Sequence, residues 1–72
     1  MDYILVNFCF ENMDEDLKIP AFVPVGELLA IFGELYGAKG NALHAEPRGI
    51  ILDKNKTLEE QGVEHGAILT LE

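Results

Sequence analysis

Residues 57–71 read Thr-Leu-Glu-Glu-Gln-Gly-Val-Glu-His-Gly-Ala-Ile-Leu-Thr-Leu, and this stretch is the most specific indication of the fold. It begins with Thr57, and Glu60 follows three residues later, which is the spacing of a capping box. In its last part, residues 67–71, successive side chains would point to opposite faces of a strand, with Leu69 and Leu71 on the same face. This pattern is typical of a half-buried strand. The stretch therefore predicts a capped helical turn that leads into a closing strand.

The beginning of the chain has two further runs that are typical of β-strands. Residues 3–10 are rich in β-branched and aromatic side chains, and every second position is apolar (Ile4, Val6, Phe8 and Phe10). Residues 16–19 alternate again, and the five polar or turn-prone residues 11–15 separate the two runs. We therefore expect a β-hairpin with its loop at residues 11–15.

After this hairpin, the spacing of the apolar residues changes from every second position to the period of a helix. Pro24 suits the first position of a helix, because its missing N–H costs nothing there, and Gly37 suits a left-handed stop. Between them a helical stripe is formed by Val25, Leu28, Leu29, Phe32, Leu35 and Tyr36. We predict a helix near residues 24–36 with this stripe in the core.

The middle of the chain is less decisive. Residues 41–45 are compatible with either a short strand or an irregular connection, and residues 49–52 with a short strand. The resulting order, ββαβ(β)β, is the α+β arrangement of a β-grasp domain, in which one helix packs across a mixed sheet of four or five strands. The length leads us to expect a single domain over residues 1–72.

Two sequence motifs within this arrangement resemble motifs of known protein families. The closing stretch resembles, without a gap, the end of ubiquitin-like domains: Thr57-Leu58-x4-Val63-x2-Gly66-x2-Leu69-x-Leu71. The hairpin-to-helix junction is similar to that of the YukD/EsaB family: Asp16-Leu17-x-Ile19-Pro20-Ala21-Phe22-Val23-Pro24-Val25-x2-Leu28-Leu29. Residues 40–56 depart from the family pattern, which leaves the register of the third and fourth strands open.

The resemblance implies a function as well as a fold. Members of the YukD/EsaB family are small ubiquitin-like proteins that accompany the WXG100 (type VII, ESAT-6-like) secretion system of Gram-positive bacteria. The resemblance therefore implies a cytoplasmic accessory or regulatory protein, not an enzyme, whose partners are cytoplasmic components of that machinery.

Charge and composition exclude several other classes of function. The formal net charge is −8, so nucleic acid and anionic membrane surfaces would repel the chain. Its apolar runs are far shorter than the ~20 residues that span a bilayer, and Met1-Asp2 lacks the basic start of a signal peptide. A single cysteine cannot form an internal disulfide. These features predict a cytoplasmic location.

The residues that carry chemistry do not form a catalytic or metal-binding pattern. Cys9 lies in a predicted strand without a nearby histidine, so we interpret it as a packing residue. His44 and His65 have no ligand-like spacing to each other or to Cys9. The acidic residues 14–16 lack the glycine and spaced oxygens of a calcium loop. We expect no catalytic residue, no metal and no cofactor.

Two alternative functions share the predicted fold. One is a ubiquitin-like small regulatory subunit of a metabolic enzyme complex. The other is a carrier or modifier, which needs a flexible C-terminal Gly-Gly, whereas the sequence has no glycine after Gly66. We therefore do not expect conjugation or sulfur transfer.

The remaining candidate is a surface for binding another protein. If the inward faces of the strands cover the helix, the outer face of the sheet holds Leu5, Cys9, Ile50, Leu52 and Ile68. We predict a partner-binding surface around Phe22, Ile50 and Leu52. The oligomeric state stays open at this point.

Overall fold

The computed structural model describes residues 2–37, 40 and 42–72. Within them the elements are β1 (Tyr3–Phe10), β2 (Met13–Pro20), α1 (Val25–Tyr36), β3 (Leu43–Glu46), β4 (Ile50–Ile51) and β5 (Ala67–Leu71). The strands form a mixed sheet in the order β2-β1-β5-β3-β4, in which β1 and β5 are parallel and the other neighbours antiparallel. The predicted α+β β-grasp arrangement is confirmed. Residues 43–46 are a strand and not an irregular connection, while residue 41 lies outside the described residues.

The hairpin between β1 and β2 is tighter than predicted. Its ladder runs from Tyr3↔Pro20 to Phe10↔Met13, so the loop contains two residues and not five. Residues 13–15, which the sequence assigned to the loop, are paired with β1. The polar side chains of Asp14 and Glu15 are compatible with a strand because β2 lies at the edge of the sheet and they reach solvent there. Glu11 occupies the loop with a φ of 54°, a left-handed conformation that side chains disfavour.

The core lies between α1 and one face of the sheet. Phe8 of β1 stacks on Phe32 of α1 with ring centroids 4.1 Å apart, and both rings are fully buried. The closing segment contributes Leu58 and Val63 to the same cluster. The larger set of buried aliphatic residues comprises Ile4, Val6, Ile19, Val25, Leu28, Leu43, Leu52, Leu69 and Leu71.

One predicted core residue of the helix is not in the core. Leu35 is 69% exposed, although its spacing placed it on the apolar stripe. At about 100° per residue it points in nearly the same direction as the buried Leu28, two turns earlier, but it belongs to the last turn of α1, where its side chain reaches solvent. The helix ends after Tyr36, as predicted, and Gly37 adopts the left-handed conformation with φ of 64°.

The start of α1 is held by a distant loop. The N–H groups of Val25 and Gly26 donate to the carbonyl oxygens of Lys56 and Lys54, each at 3.0 Å, and Pro24 precedes the helix as its N-cap. Amides in the first turn have no partner inside a helix. The loop therefore supplies the acceptors that a capping side chain would otherwise provide.

The side chain of Gln61 stabilises that loop. Its Oε1 accepts the N–H of Asp53 at 2.7 Å, and its Nε2 lies within 3.0–3.3 Å of the carbonyl oxygens of Asp53, Lys56 and Thr57. The predicted capping box is also present, because Thr57 and Glu60 each accept the other's backbone N–H at 3.0 and 2.9 Å. Gln61 thus connects the closing turn with the loop that caps α1.

Replacement of Gln61 should lower stability more than an ordinary surface substitution. Gln61→Ala removes the acceptor of the Asp53 amide, which water can replace because the bond is exposed, so we expect a loss of about 1 kcal/mol in the free energy of unfolding. Gln61→Glu keeps that acceptor but directs a second oxygen at three carbonyls, so it should not restore stability. Denaturant unfolding of both variants measures the effect.

Lys54→Ala is the matched control, because it changes the same loop but keeps the carbonyl that α1 uses. We expect it to shift stability by less than about 0.5 kcal/mol. Equal losses for Gln61→Ala and Lys54→Ala would contradict this role of Gln61.

The strained hairpin loop provides a second test. Glu11→Gly should raise the free energy of unfolding by about 1 kcal/mol, because glycine adopts positive φ without the steric cost. Asn12→Gly has no such strain to relieve and should be neutral or destabilising. Thermal unfolding of the two variants distinguishes them, and a higher Tm for Asn12→Gly than for Glu11→Gly would be the contrary result.

Candidate interaction surface

The structure places the three predicted surface residues in different environments. Phe22 is 55% exposed, Ile50 is half-buried against the core, and Leu52 is 3% exposed. The expectation that Leu52 faces outward is therefore wrong. These residues do not form one exposed patch.

Pairing between β3 and β4 explains the error. Ile50 pairs with Ala45, which is buried, whereas Ile51 pairs with His44 on the outer face. Partners in neighbouring strands share a face, so Ile51 points outward and is 65% exposed. The predicted alternation was correct in period but shifted by one residue, because the register of this short strand depends on β3.

Apart from Ile51 at the far edge, the outer face exposes an apolar set around β1 and β5, which we call the outer strip: Tyr3, Leu5, Phe22 and Ile68. Tyr3 and Leu5 are two residues apart in β1 and therefore lie on the same side of the strand. Asn7 lies on that side as well, and Ile68 of β5 pairs with it. Phe22 joins the set through an edge-to-face contact with Tyr3, with ring centroids 6.2 Å apart. Each member is between 43% and 56% exposed.

The side chain of Lys18 lies over one end of this strip. The Nζ atom of Lys18 is 5.4 Å from the centroid of the Tyr3 ring, within the range of a cation–π contact. Lys18 also pairs with Leu5 across β1 and β2. The strip is therefore an apolar surface with an aromatic end, and the Tyr3–Phe22 contact is the feature that the sequence did not reveal.

Both histidines have structural partners. The Nδ1 atom of His65 accepts the N–H of Leu5 at 3.0 Å, so this ring carries its proton on Nε2 when it is neutral. His44 Nε2 pairs with the carboxylate of Glu72. Among the described residues no group of three or more His, Cys, Asp or Glu side chains is arranged to hold a metal.

An acidic cluster occupies the outer face beside the hairpin turn. The amide of Asn7 donates to the carboxylates of Asp14 and Asp16, and the Cys9 thiol donates to Asn7 Oδ1 at 3.2 Å. Burial raises the pKa of the Cys9 thiol, and the neighbouring charge of Asp14 raises it further. The thiol is therefore a poor nucleophile.

The mixed five-stranded sheet with α1 packed across one face defines a ubiquitin-like domain. Solved structures agree. The ubiquitin-like domain of mouse tubulin-specific chaperone e superposes with a TM-score of 0.81 at 15% identity, covering 97% of this chain and 84% of that one. No curated protein matches this chain.

The family is more specific than the fold. The family model described as WXG100 protein secretion system (Wss), protein YukD, matches residues 3–71, and the chain belongs to this family. The ubiquitin-like domain of the Mycobacterium tuberculosis type VII secretion system protein ECCD1 is 25% identical, with a TM-score of 0.69, and covers 99% of this chain and 98% of that one. Protomer 1 of the ESX-3 core complex contains a similar fold, with a TM-score of 0.74 at 21% identity over 97% of this chain and 16% of that one.

The membership links the chain to type VII secretion and confirms the predicted family. Within the part of the chain that the structure describes, no helix has the length and apolar character needed to cross a membrane.

The raised pKa of Cys9 predicts slow thiol chemistry. At pH 8 the native thiol should react with a disulfide reagent more slowly than the thiol of the denatured chain, because less thiolate is present. Asp14→Asn should increase the native rate by removing a negative charge, and the rate should rise further above the ordinary thiol pKa of about 8.5.

Asp16→Asn is the control, because Asp16 contacts Asn7 but is not a cause of the Cys9 shift. Absorbance of the released thiol gives the rates. A native thiol that reacts faster than the denatured one would refute the conclusion that the pKa of the Cys9 thiol is raised in the folded chain.

Proposed function

We propose that this chain is a non-enzymatic accessory or regulatory protein of a WXG100-type (type VII) secretion system. Residues 1–72 work as one ubiquitin-like domain in the cytoplasm and act through protein contacts. The observation that carries the proposal is the match to the YukD family over residues 3–71. A domain of the same fold in the type VII secretion protein ECCD1 supports the link.

The partner is a cytoplasmic component of the secretion machinery, and the outer strip binds it. Of the residues first predicted for the surface, Phe22 is kept, while Ile50 and Leu52 are replaced by Tyr3, Leu5 and Ile68. Exposed aromatic side chains supply large contact areas at a small entropic cost and are enriched at binding hot spots. The Tyr3–Phe22 pair is therefore the proposed centre of the interface.

The electrostatic surroundings favour a basic partner. The chain carries a net charge of −8, and Asp14 and Asp16 lie next to the strip on β2. Complementary charge raises association rates and selects partners, and its contribution falls as salt screens it. Binding is accordingly expected to weaken with increasing ionic strength.

The proposal is tested with the purified cytoplasmic portions of the WXG100 machinery encoded with this chain. Phe22→Ser and Leu5→Ser should each weaken binding of the cognate component by about tenfold, because each removes a large apolar side chain from the interface. Isothermal titration calorimetry gives the affinities.

Leu35→Ser is the matched control, since Leu35 is at least as exposed but lies on α1. It should leave the affinity within about twofold, and circular dichroism should show that all three variants are folded. Absence of binding to every component would refute the proposed function. Equal losses for Leu35→Ser and Phe22→Ser would refute the role of the strip.

A further inference from the structure

Strand β2 forms an edge of the sheet. In the described part of the chain it pairs with β1 over all of its eight residues and with no other strand. A strand at the edge of a sheet presents a row of unpaired backbone N–H and C=O groups, with which a strand of another chain can pair. We call the open side of residues 13–20 the β2 edge.

The pairing with β1 determines which backbone groups the β2 edge presents. The N–H of Ala21 donates to the carbonyl of Asp2 at 2.9 Å, immediately before the ladder begins with Tyr3↔Pro20. Along an antiparallel ladder, residue pairs that exchange such bonds alternate with pairs that do not. The backbone groups of residues 13, 15, 17 and 19 are therefore directed at β1, and those of residues 14, 16, 18 and 20 at the open side.

Three residues of the β2 edge offer both a donor and an acceptor. They are Asp14, Asp16 and Lys18, and each has one outward N–H and one outward C=O. The fourth outward position is Pro20, which has no N–H and therefore suits the edge of a sheet. An added strand that covers residues 14–18 would form a regular ladder with these three residues.

The side chains of the β2 edge present negative charge to an added strand. The amide of Asn7 donates to the carboxylates of both Asp14 and Asp16, which fixes their positions without neutralising them, because an amide is uncharged. Lys18 lies on the same face, but its Nζ atom lies over the ring of Tyr3. Directly opposite residues have Cβ atoms about 4.5–5.5 Å apart, and pairs of opposite charge stabilise a sheet. The edge therefore favours cations at two alternate positions of an added strand.

The inner face of the β2 edge adds an apolar requirement. Leu17 pairs with Val6, which is buried, and is itself half-buried against the core. Within the described sheet no strand covers Leu17 on the open side. An aliphatic side chain opposite Leu17 would remove its remaining apolar surface from water.

We propose that the β2 edge binds an extended protein segment of the pattern aliphatic–basic–any–basic, which pairs antiparallel with residues 14–18. Its aliphatic side chain lies opposite Leu17, and its two cations lie opposite Asp16 and Asp14. Antiparallel pairing is the more stable arrangement per residue. The β2 edge continues the outer strip, since Lys18 pairs with Leu5. The inference rests on the proposed function in that the occupant is a protein, and it names the chemistry of the segment that is bound.

A second copy of this chain is a poorer occupant of the β2 edge. Its own β2 contains one lysine and no arginine, so pairing through β2 cannot place cations opposite both Asp14 and Asp16. It also brings a second net charge of −8, which repels the first. A basic segment of another protein complements the edge better.

The test uses the full chain and the peptide acetyl-Thr-Val-Lys-Thr-Lys-amide, followed by ¹⁵N–¹H NMR. The peptide should bind saturably with Kd of about 1–10 mM, the range of a weak short ligand. Shifts should concentrate at residues 13–19, and the amide protons of residues 14, 16 and 18 should move downfield as they gain acceptors. Acetyl-Thr-Val-Glu-Thr-Glu-amide should not bind, because its charges are reversed.

N-methylation of the peptide separates strand pairing from simple charge attraction. A methyl group on the backbone nitrogen of the first lysine removes a donor directed at Asp16 and should weaken binding at least about fivefold. The matched control has the methyl group on the second threonine, whose nitrogen is directed away from β2, and should change the affinity less than about twofold. Equal losses for the two methylated peptides would overturn the proposal.

Charge variants of the chain test the side-chain pairing. Asp16→Asn keeps the backbone and should weaken binding of the lysine peptide about threefold. Glu34→Gln removes the same charge from the exposed surface of α1 and should have less than about 1.5-fold effect at 0.1 M salt. Equal effects of the two substitutions, shifts centred on Ile31 and Leu35, or no saturable shifts would each contradict the proposal. Shifts that depend on protein concentration without peptide would show that a second copy is the occupant, which also contradicts it.

The outcome is separable from that of the proposed function. Peptide pairing at the β2 edge together with no affinity for any secretion component would refute the proposed function and leave the edge assignment in place. Binding of a secretion component together with no peptide binding would do the reverse.

Discussion

The hydrogen bonds of the Gln61 side chain connect the start of α1 with the last third of the chain. They hold residues 53–57 in the conformation that offers two carbonyl oxygens to the first amides of α1. The same segment inserts Leu58, which is completely buried, into the core. A helix of 12 residues is marginal by itself and gains its stability from packing and from satisfied ends. One polar side chain thereby ties the helix to the closing half of the chain.

The surface features follow from this arrangement. α1 covers one face of the sheet, so the apolar residues that alternate to the other face remain exposed as the outer strip. The turn that Gln61 anchors continues into Val63 and His65, and His65 accepts the N–H of Leu5, a member of the outer strip.

The sequence predicted the fold because its signals were local. The capping box of Thr57 and Glu60, the two strand runs and the left-handed stop at Gly37 each depend on neighbouring residues, and each is present. The predictions were wrong where the result depends on how neighbouring strands pair. The faces of Ile50 and Leu52 depend on the register with β3, and the length of the hairpin loop depends on the ladder with β1.

The candidate site was predictable only in part for the same reason. Phe22 was identified as a surface residue because no inward face could accommodate it, but its contact with Tyr3 joins positions 19 residues apart and leaves no sequence pattern. Gln61 was also missed, because a glutamine that bonds to four backbone groups cannot be distinguished from a solvent-exposed one without the path of residues 53–57.

The central claim is that this member of the YukD family binds its secretion partner with the outer face of its sheet. Methyl and aromatic cross-saturation on the assembled complex with the cognate WXG100 component tests it most directly, because it reports which side chains lie against the partner. We expect saturation to reach Tyr3, Leu5, Phe22 and Ile68 and to leave Ile31 and Leu35 of α1 unaffected. Saturation centred on Ile31 and Leu35, with the outer strip unaffected, would contradict it.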